Sequence, residues 1–129
     1  MNNKKGFTLV EIMIVLVIIL LLTAIAMPNL IKAKIQANEA SAQATLRTIA
    51  SSLENYYALN NEYPPDPTSL VGATPPYLNN NYFNTAYNGY SYSPDVLAPY
   101  SYFVSAVPIS TSTGTHSYTV STGAVLYEY

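Results

Sequence analysis

The sequence predicts an α+β fold, with one long N-terminal α-helix whose second half packs on a small C-terminal antiparallel β-sheet. Three observations predict it. Residues 12–27 carry no charge and a single polar side chain, residues 29–59 lack Pro and Gly and repeat apolar residues at helical spacing, and the last 70 residues are rich in Tyr, Asn, Ser, Thr and Pro. Because the remaining chain is long enough to cover only the second half of such a helix, we expect the apolar half to protrude.

The composition excludes several classes of function. Charged residues make up 9% of the chain, against about 25% in ordinary soluble domains. Five Lys and Arg against seven Asp and Glu provide no cationic surface, so we expect no nucleic acid as a primary partner. The chain has no Cys and only one His, and no catalytic constellation is visible. We therefore expect no disulfide, no metal site, no cofactor and no enzyme activity.

The segment 7–27 is long enough to cross a membrane. Its 21 residues span roughly 30 Å as a helix, which is one hydrocarbon thickness. A secretory signal peptide is the alternative, with Lys4 and Lys5 as its basic region and Ala24-Ile25-Ala26 as its cleavage site. Cleavage after Ala26 would leave Met27-Pro28 as the new N-terminus, with a proline close to the cut bond, which favours a transmembrane helix that is retained.

Glu11 is an acid inside this apolar segment. A charge at the centre of a bilayer costs about 2.5–3.5 kcal/mol, so ionisable residues there usually have a partner. None of the residues three or four positions away along a helix is basic: Phe7, Thr8, Ile14 and Val15. The sequence therefore predicts that the partner of Glu11 comes from another molecule, with an interfacial or protonated acid as the alternative.

Residues 4–11, Lys-Lys-Gly-Phe-Thr-Leu-Val-Glu, resemble the N-terminal signature of type IV prepilins and of the related type II secretion pseudopilins. The resemblance implies cleavage between Gly6 and Phe7 by a prepilin peptidase, followed by N-methylation of the new Phe7 amine. It also implies that the Phe7 amine of a neighbouring subunit is the partner of Glu11 and sets the register between helices. The match is strong over residues 4 to about 30 and looser beyond.

The same resemblance implies a function. We expect a structural subunit of a type IV pilus-like surface filament, a helical homo-oligomer built by an inner-membrane assembly platform and its ATPase. Before assembly the chain would cross the inner membrane once with its N-terminus in the cytoplasm, and afterwards it would lie in an extracellular filament or a periplasmic pseudopilus. The alternatives are a pseudopilin of a type II secretion system and, more distantly, a secreted binding module released by ordinary signal peptidase.

The sequence divides into a leader (1–6), a membrane and filament-core helix (7–27), an amphipathic half of the helix (28–59) and a head (60–129). Pro28 removes a backbone donor, so we predict a kink or a locally melted turn there. Helical character otherwise runs from Thr8 to about Leu59. An apolar stripe is expected to pack on the head: Ala42, Leu46, Ile49, Leu53 and Tyr56. The opposite side is polar: Gln43, Arg47, Ser51 and Glu54.

The head begins where Asn60 and Asn61 end the helix, since Asn tolerates the capping conformation and prolines follow. Residues 68–99 carry many turn signals and predict loops, with a short strand around Tyr90 to Ser93. Residues 100–129 predict an antiparallel meander from three segments: 100–107, 117–121 and 124–129. In the middle one, Tyr118 and Val120 are expected on one face, and Ser117, Thr119 and Ser121 on the other.

Other candidate sites in the head are weaker. His116 has no second His or Cys to share a metal. Glu62, Asp66 and Asp95 could contribute to a calcium site, but the loops of the last strands contain no acid. The turn from Ser110 to Thr115 could carry O-linked sugar, and a plain solvated turn is the alternative. Thirteen tyrosines are most simply core and interface residues, with surface adhesion as an alternative.

Overall fold

The computed structural model describes residue 1 and residues 6–129. Lys4 and Lys5, and with them most of the expected leader, lie outside the described residues. The described chain contains two helices and five strands: α1 (Leu9–Asn60), α2 (Thr68–Val71), β1 (Ala86–Tyr87), β2 (Tyr90–Ala98), β3 (Ser101–Pro108), β4 (Tyr118–Ser121) and β5 (Val125–Glu128). One long helix and an antiparallel sheet confirm the predicted α+β class. The chain divides into two compact units, Met1–Ala33 and Lys34–Tyr129.

The long helix α1 begins and ends within one residue of the predicted positions. Its C-terminus is closed by Asn61, which adopts a left-handed φ of 58° and donates its backbone N–H to the carbonyl of Tyr57 at 2.8 Å. Asn is one of the few residues with a side chain that adopt this conformation at low cost. The predicted role of asparagine in ending the helix is therefore confirmed.

In the first unit the described helix residues are all exposed, and most of them are apolar. Thr23, the polar residue of this stretch, satisfies its hydroxyl by donating to the carbonyl of Ile19 at 2.8 Å. The helix continues through Pro28 without interruption, so the melted turn that we considered is wrong. The kink at Pro28 stays a prediction.

The five strands form one antiparallel sheet in the order β1-β2-β3-β4-β5, so each strand pairs with its neighbour in sequence. The turn between β1 and β2 is Asn88-Gly89, and both residues have positive φ (48° and 79°). Two such residues are what a two-residue hairpin turn of type I′ requires. The three predicted segments of the C-terminal meander correspond to β3, β4 and β5, which confirms that part of the prediction.

The short strand predicted around Tyr90 to Ser93 is confirmed, but β2 continues to Ala98, so the loop expected after it is wrong from Pro94 onward. The pair Pro94-Asp95 suggested a turn, but the chain continues as a strand and pairs with β3 on both sides of this point. The register shifts between Pro94 and Val96, so Asp95 is the extra residue of a β-bulge. A bulge is one of the few places in a sheet that accept a proline, because the ladder is already interrupted there.

The core of the second unit lies between the helix stripe and one face of the sheet. Ala42, Leu46, Ile49 and Leu53 are completely buried, and Tyr56 packs against them at the edge of the core, which confirms the predicted stripe. The sheet contributes alternate residues of three strands: Tyr90, Tyr92, Tyr102, Val104, Ala106, Tyr118 and Val120. Phenol rings thus fill much of the space that aliphatic side chains occupy in most small domains.

Two residues that were predicted to lie away from the core are less exposed than their position suggests: Thr119 is buried and Glu54 is half-buried. Thr119 lies on the face away from the core, as predicted, but it is 1% exposed because it pairs with Ser105 on one side and Tyr127 on the other. Glu54 was expected on the polar side of the helix, and it instead lies beneath two tyrosines of the head. Both corrections depend on neighbours that are distant in the sequence.

Candidate assembly site

The N-terminus of α1 is closed by a reciprocal pair of side-chain contacts. The backbone N–H of Thr8 donates to Oε2 of Glu11 at 2.7 Å, and the Thr8 hydroxyl donates to the same oxygen at 2.9 Å. In return, the backbone N–H of Glu11 donates to the Thr8 hydroxyl oxygen at 3.2 Å. Because the helix begins at Leu9, Thr8 is its N-cap residue and Glu11 its third residue. This is a capping box.

The capping box corrects one step of the sequence analysis. We looked for a basic partner of Glu11 within helical reach and found none, but Thr8 supplies two neutral donors. The pattern Thr-x-x-Glu before an apolar run is itself a sequence signal for this motif, and it could have been read from residues 8–11. One carboxylate oxygen of Glu11 is thus occupied within the chain, and no described residue donates to the other, Oε1.

Gly6 and Phe7 lie immediately before the helix, outside any regular structure. The Phe7 side chain is 88% exposed, and Gly6 has no other part of the described chain within 4 Å of the position a Cβ would take. The peptide bond between them is therefore accessible. Only Thr8 separates Phe7 from the first residue of α1, so a new amine at Phe7 would lie beside the helix N-terminus that Glu11 caps.

The exposed part of α1 presents apolar side chains on every side. One continuous face is formed at spacings of three and four residues, and it borders a shallow groove: Val10, Met13, Ile14, Val17 and Ile18. An 18-residue window of the helix has a mean hydropathy of 3.1 and is long and apolar enough to cross a membrane. A helix that is hydrophobic all round is stable only in lipid or among other apolar surfaces.

Comparison with known proteins agrees with this geometry. A family model described as the prokaryotic N-terminal methylation motif matches residues 1–27, and a second, described as type IV minor pilin ComP, DNA uptake sequence receptor, matches residues 28–122. The chain belongs to the type IV pilin family. Pilins and pseudopilins are structural subunits rather than enzymes, which confirms the expected class of protein.

Individual relatives include both pilins and pseudopilins. The chain is 39% identical over 71 residues to the type IV wide pilus major component PilA4 of Thermus thermophilus, a match that covers 55% of this chain and 54% of that one. It is 39% identical over 62 residues to the type II secretion system core protein G of Pectobacterium carotovorum, covering 48% and 40%. It is 34% identical over 61 residues to the type IV major pilin protein PilA of Myxococcus xanthus, covering 47% and 28%. The chain therefore spans about half or less of these relatives.

In the second unit, Glu39 joins the helix to the loop before β4. Its Oε1 accepts the backbone N–H and the hydroxyl of Thr115 at 2.9 and 2.8 Å, and it lies 3.2 Å from Nδ1 of His116. The second imidazole nitrogen of His116 lies 3.8 Å from the carboxylate of Glu128 on β5. Partial burial acts to raise the pKa of Glu39, but the donors from Thr115 and His116 outweigh it and lower that pKa below its ordinary value. His116 thus lies between the carboxylates of Glu39 and Glu128. The sequence around His116 did not indicate this position.

The acids considered for a cation site are dispersed, and among the described residues no three His, Asp or Glu side chains gather in the way that a metal site requires. Asp66 caps α2 by accepting the backbone N–H groups of Thr68 and Ser69 at 2.8 and 3.2 Å. Glu62 and Asp95 are exposed. The turn that begins at Ser110 is held by its own contacts, with the Thr113 N–H donating to the Ser110 carbonyl at 3.0 Å.

Glu54 makes contacts with the head that the sequence analysis did not predict. Its carboxylate accepts hydrogen bonds from the hydroxyls of Tyr63 and Tyr102, each at 3.1 Å to Oε1, and from the backbone N–H of Gly123 at 2.9 Å. These donors come from the segment after α1, from β3 and from the β4–β5 turn. Burial, followed by the nearby carboxylate, raises the pKa of Tyr63 to about 12. Glu54 therefore ties three parts of the head to the helix.

Proposed function

We propose that this chain is the structural subunit of a type IV pilus-like filament, cut between Gly6 and Phe7 and assembled through its N-terminal helix. The observation that carries the proposal is the fully exposed apolar surface of α1 over residues 9–31, in which Glu11 is the one acid. Such a surface is stable in a bilayer before assembly and among identical helices afterwards. The proposed locations are the inner membrane first, with the N-terminus in the cytoplasm, and a surface filament second.

The arrangement of Glu11 supports its proposed role in register. Oε2 is held by Thr8, which fixes the direction of the carboxylate, while none of the described residues donates to Oε1, which can accept a donor from another chain. The methylated Phe7 amine of a neighbouring subunit is a cation of suitable size. Two opposite charges about 4 Å apart attract by about 4 kcal/mol at an effective dielectric of 20, which offsets the cost of removing the acid from water. Slippage of one helix along the other would break this pair.

The proposed partners follow from the same features. A prepilin peptidase and methylase would act at the accessible Gly6–Phe7 bond, and an inner-membrane platform with its ATPase would extract the helix from lipid. Cohesion in the filament would come from apolar side chains such as Ile14 and Val17 packing on their counterparts. The chain itself would bind no cofactor in these steps, because the methyl donor and the ATP are used by the methylase and the ATPase.

A pseudopilin of a type II secretion system is the alternative function. The similarity to core protein G of Pectobacterium carotovorum favours it, and the similarity to the pilins of Thermus thermophilus and Myxococcus xanthus favours the pilus. The three matches cover between 47% and 55% of this chain. Electron micrographs of cells that produce the chain at its native level distinguish the two, since a pilus extends from the cell surface and a pseudopilus remains periplasmic.

The matched ComP family is described as a receptor for DNA uptake sequences, and the charge of this chain argues against extending that activity to it. Residues 60–129 contain no Lys or Arg, and removal of Lys4 and Lys5 would leave only Lys32, Lys34 and Arg47 against seven acids. DNA binding depends on replacing phosphate counterions with cationic side chains. We therefore propose a structural role without DNA as a primary partner. Retardation of duplex DNA by purified filaments at physiological salt would contradict this.

Mass spectrometry of the mature N-terminus tests the proposed processing. A chain that begins at methylated Phe7 supports the filament, and a chain that begins at Met27 would instead indicate cleavage by ordinary signal peptidase. The latter result, in a soluble secreted monomer, would overturn the proposed function.

Variants of Glu11 test the proposed assembly. Glu11→Gln and Glu11→Ala should leave membrane insertion and cleavage unchanged but lower the yield of filaments about tenfold or more, because the intersubunit ion pair is lost. Glu62→Gln, which removes an exposed acid of the head, is the matched control for net charge. Thr8→Val weakens the helix cap but keeps the carboxylate of Glu11. It therefore shows whether assembly depends on the cap or on the charge. Normal assembly of Glu11→Gln would show that the register role is wrong.

A further inference from the structure

Strand β5 forms one edge of the sheet, and its outer edge is open. The backbone N–H of Ser117 donates to the carbonyl of Tyr129 at 2.9 Å, and the N–H of Tyr129 donates to Ser117 at 3.0 Å. In an antiparallel ladder the residues that exchange such bonds alternate. Tyr127 and Val125 therefore also direct their backbone groups toward β4, while the N–H and C=O groups of Leu126 and Glu128 point away from it. No described residue pairs with those outward groups.

This edge lacks most of the features that prevent strands from pairing with other chains. The segment Val125–Glu128 contains no Pro, no Gly and no bulge, and its residues favour strands apart from Glu128. The side chains of Val125 and Tyr127 are 45% and 54% exposed on the face away from the core. The other edge of the sheet differs, because β1 has only two residues. The sheet therefore has one short edge and one that is open for pairing.

We propose that the open edge of β5 pairs with the β5 edge of a second copy of this chain, antiparallel and about a two-fold axis at Tyr127. In this register Leu126 of each copy lies opposite Glu128 of the other copy. These two residue pairs form hydrogen bonds through all the outward backbone N–H and C=O groups of the two strands. Val125 lies opposite Tyr129. Tyr127 faces Tyr127, and aromatic cross-strand pairs on one face stabilise a sheet.

Other registers and other partner strands would pair fewer of the outward backbone N–H and C=O groups of β5, or would place unfavourable residues opposite each other. A two-fold axis at Glu128 would place two carboxylates directly opposite each other. An axis at Leu126 would pair Glu128 with Ala124, whose φ of 58° is not extended. Pairing β5 with β1 of another copy would use only the two residues of β1. The isologous arrangement at Tyr127 is therefore the one that the strand itself favours.

This inference concerns the head and does not depend on filament assembly. In filaments, however, the same edge would be repeated at every subunit. A weak contact that is repeated along two fibres adds up to a strong one, so β5 pairing would join filaments laterally. The proposed partner is a second copy of β5, because only an identical strand places Tyr127 opposite Tyr127 about a two-fold axis. A foreign extended peptide would not have this symmetry.

Single cysteines test the two-fold axis, because the chain has no Cys of its own. Directly opposite residues that are not hydrogen-bonded to each other lie about 4.5 Å apart at Cα, which is within disulfide range. Under mild oxidation of the detergent-solubilised full chain, Tyr127→Cys should form disulfide-linked dimers about tenfold faster than Tyr129→Cys, which would face Val125. Tyr129 is similarly exposed and lies on the same face, so it is a matched control. Equal rates, or no dimer with either variant, would overturn the proposal.

Hydrogen exchange provides a test that needs no substitution. In the unmodified chain, the amides of Leu126 and Glu128 should exchange more slowly as protein concentration rises, because only the paired edge protects them. The amide of Tyr127, already bonded to β4, is the internal control. Exchange at Leu126 and Glu128 that is independent of concentration would contradict β5 pairing, whether or not the chain forms filaments. If filaments form normally in that case, the proposed function stands and this inference falls.

Discussion

The hydroxyl of Tyr63 lies 3.1 and 3.2 Å from the two carboxylate oxygens of Glu54, nine residues earlier in the chain. Tyr63 is 5% exposed, and its backbone N–H donates to the carbonyl of Pro99 at 2.9 Å. Its ring stacks on Tyr57 of the helix at a centroid distance of 4.7 Å. The chain that leaves α1 is thereby fixed against the helix and against the β2–β3 turn at the same time. Several consequences of this and related contacts can be measured.

Removal of the Glu54 carboxylate should destabilise the head. Glu54→Ala leaves the hydroxyls of Tyr63 and Tyr102 and the N–H of Gly123 without their acceptor. Hydrogen bonds to charged groups contribute about 1.5–3 kcal/mol each, and the donors here are partly able to bond water, so we expect a loss of about 3 kcal/mol in the free energy of unfolding. Thermal unfolding of the full chain, followed by near-ultraviolet circular dichroism, measures it. Glu62→Ala, at an exposed position, should unfold at the same temperature as the wild type. A similar loss of stability in both variants would show that the contacts of Glu54 are unimportant.

The head should lose stability at strongly alkaline pH. Burial and the neighbouring Glu54 raise the pKa of Tyr63 to about 12, whereas an unfolded tyrosine titrates near 10. The folded state favours the neutral phenol, so this contribution is complete below about pH 10 and is lost as the pH rises through about 12. The absorbance of tyrosinate should therefore rise in two phases, the later one together with unfolding. Titration of all tyrosines near pH 10, with the head still folded, would contradict the burial of Tyr63.

Two buried tyrosines of β2 should respond oppositely to loss of their hydroxyl. The Tyr90 hydroxyl donates to the carbonyl of His116 at 2.8 Å, whereas the buried Tyr92 hydroxyl makes no well-formed hydrogen bond among the described residues and lies near Thr45, whose own hydroxyl donates to the carbonyl of Ser41. We expect Tyr90→Phe to lower the free energy of unfolding by about 1–2 kcal/mol, and Tyr92→Phe to leave it unchanged or raise it slightly. Thermal or urea unfolding compares the two, which are both at most 1% exposed. The reverse order would show that Tyr92 and not Tyr90 has the better partner.

The Asn88-Gly89 turn should be intolerant of a side chain at its second residue. A Cβ on Gly89 would lie 2.7 Å from Cβ of Thr113 and 3.0 Å from the Asn38 amide nitrogen, and its φ of +79° is strained for alanine. We expect Gly89→Ala to cost about 2–4 kcal/mol, from strain and collision together. Gly123 has nearly the same φ, +80°, with nothing within 4 Å of such a Cβ. Gly123→Ala should therefore cost only about 1 kcal/mol, and equal costs in chemical denaturation would show that the collision relaxes freely.

Much of this fold could be predicted because its signals are local. The apolar run of 12–27, the helical spacing of Ala42 to Leu53 and the alternating residues of β3 follow from the periods of helix and strand. The capping box of Thr8 and Glu11 is equally local, and a search for charged partners alone overlooked it. At this site the sequence held more information than the first interpretation used.

The sequence by itself determined the long apolar helix, its end at Asn61 and the sheet at the C-terminus, since each depends on residues within a few positions of one another. Only the tertiary structure decided that Pro94 lies in a bulge of a long strand, that Glu54 lies beneath tyrosines, and that Thr119 is buried. Each of these depends on partners brought from distant segments, because burial and ladder pairing are set by which surfaces meet and not by the residue alone.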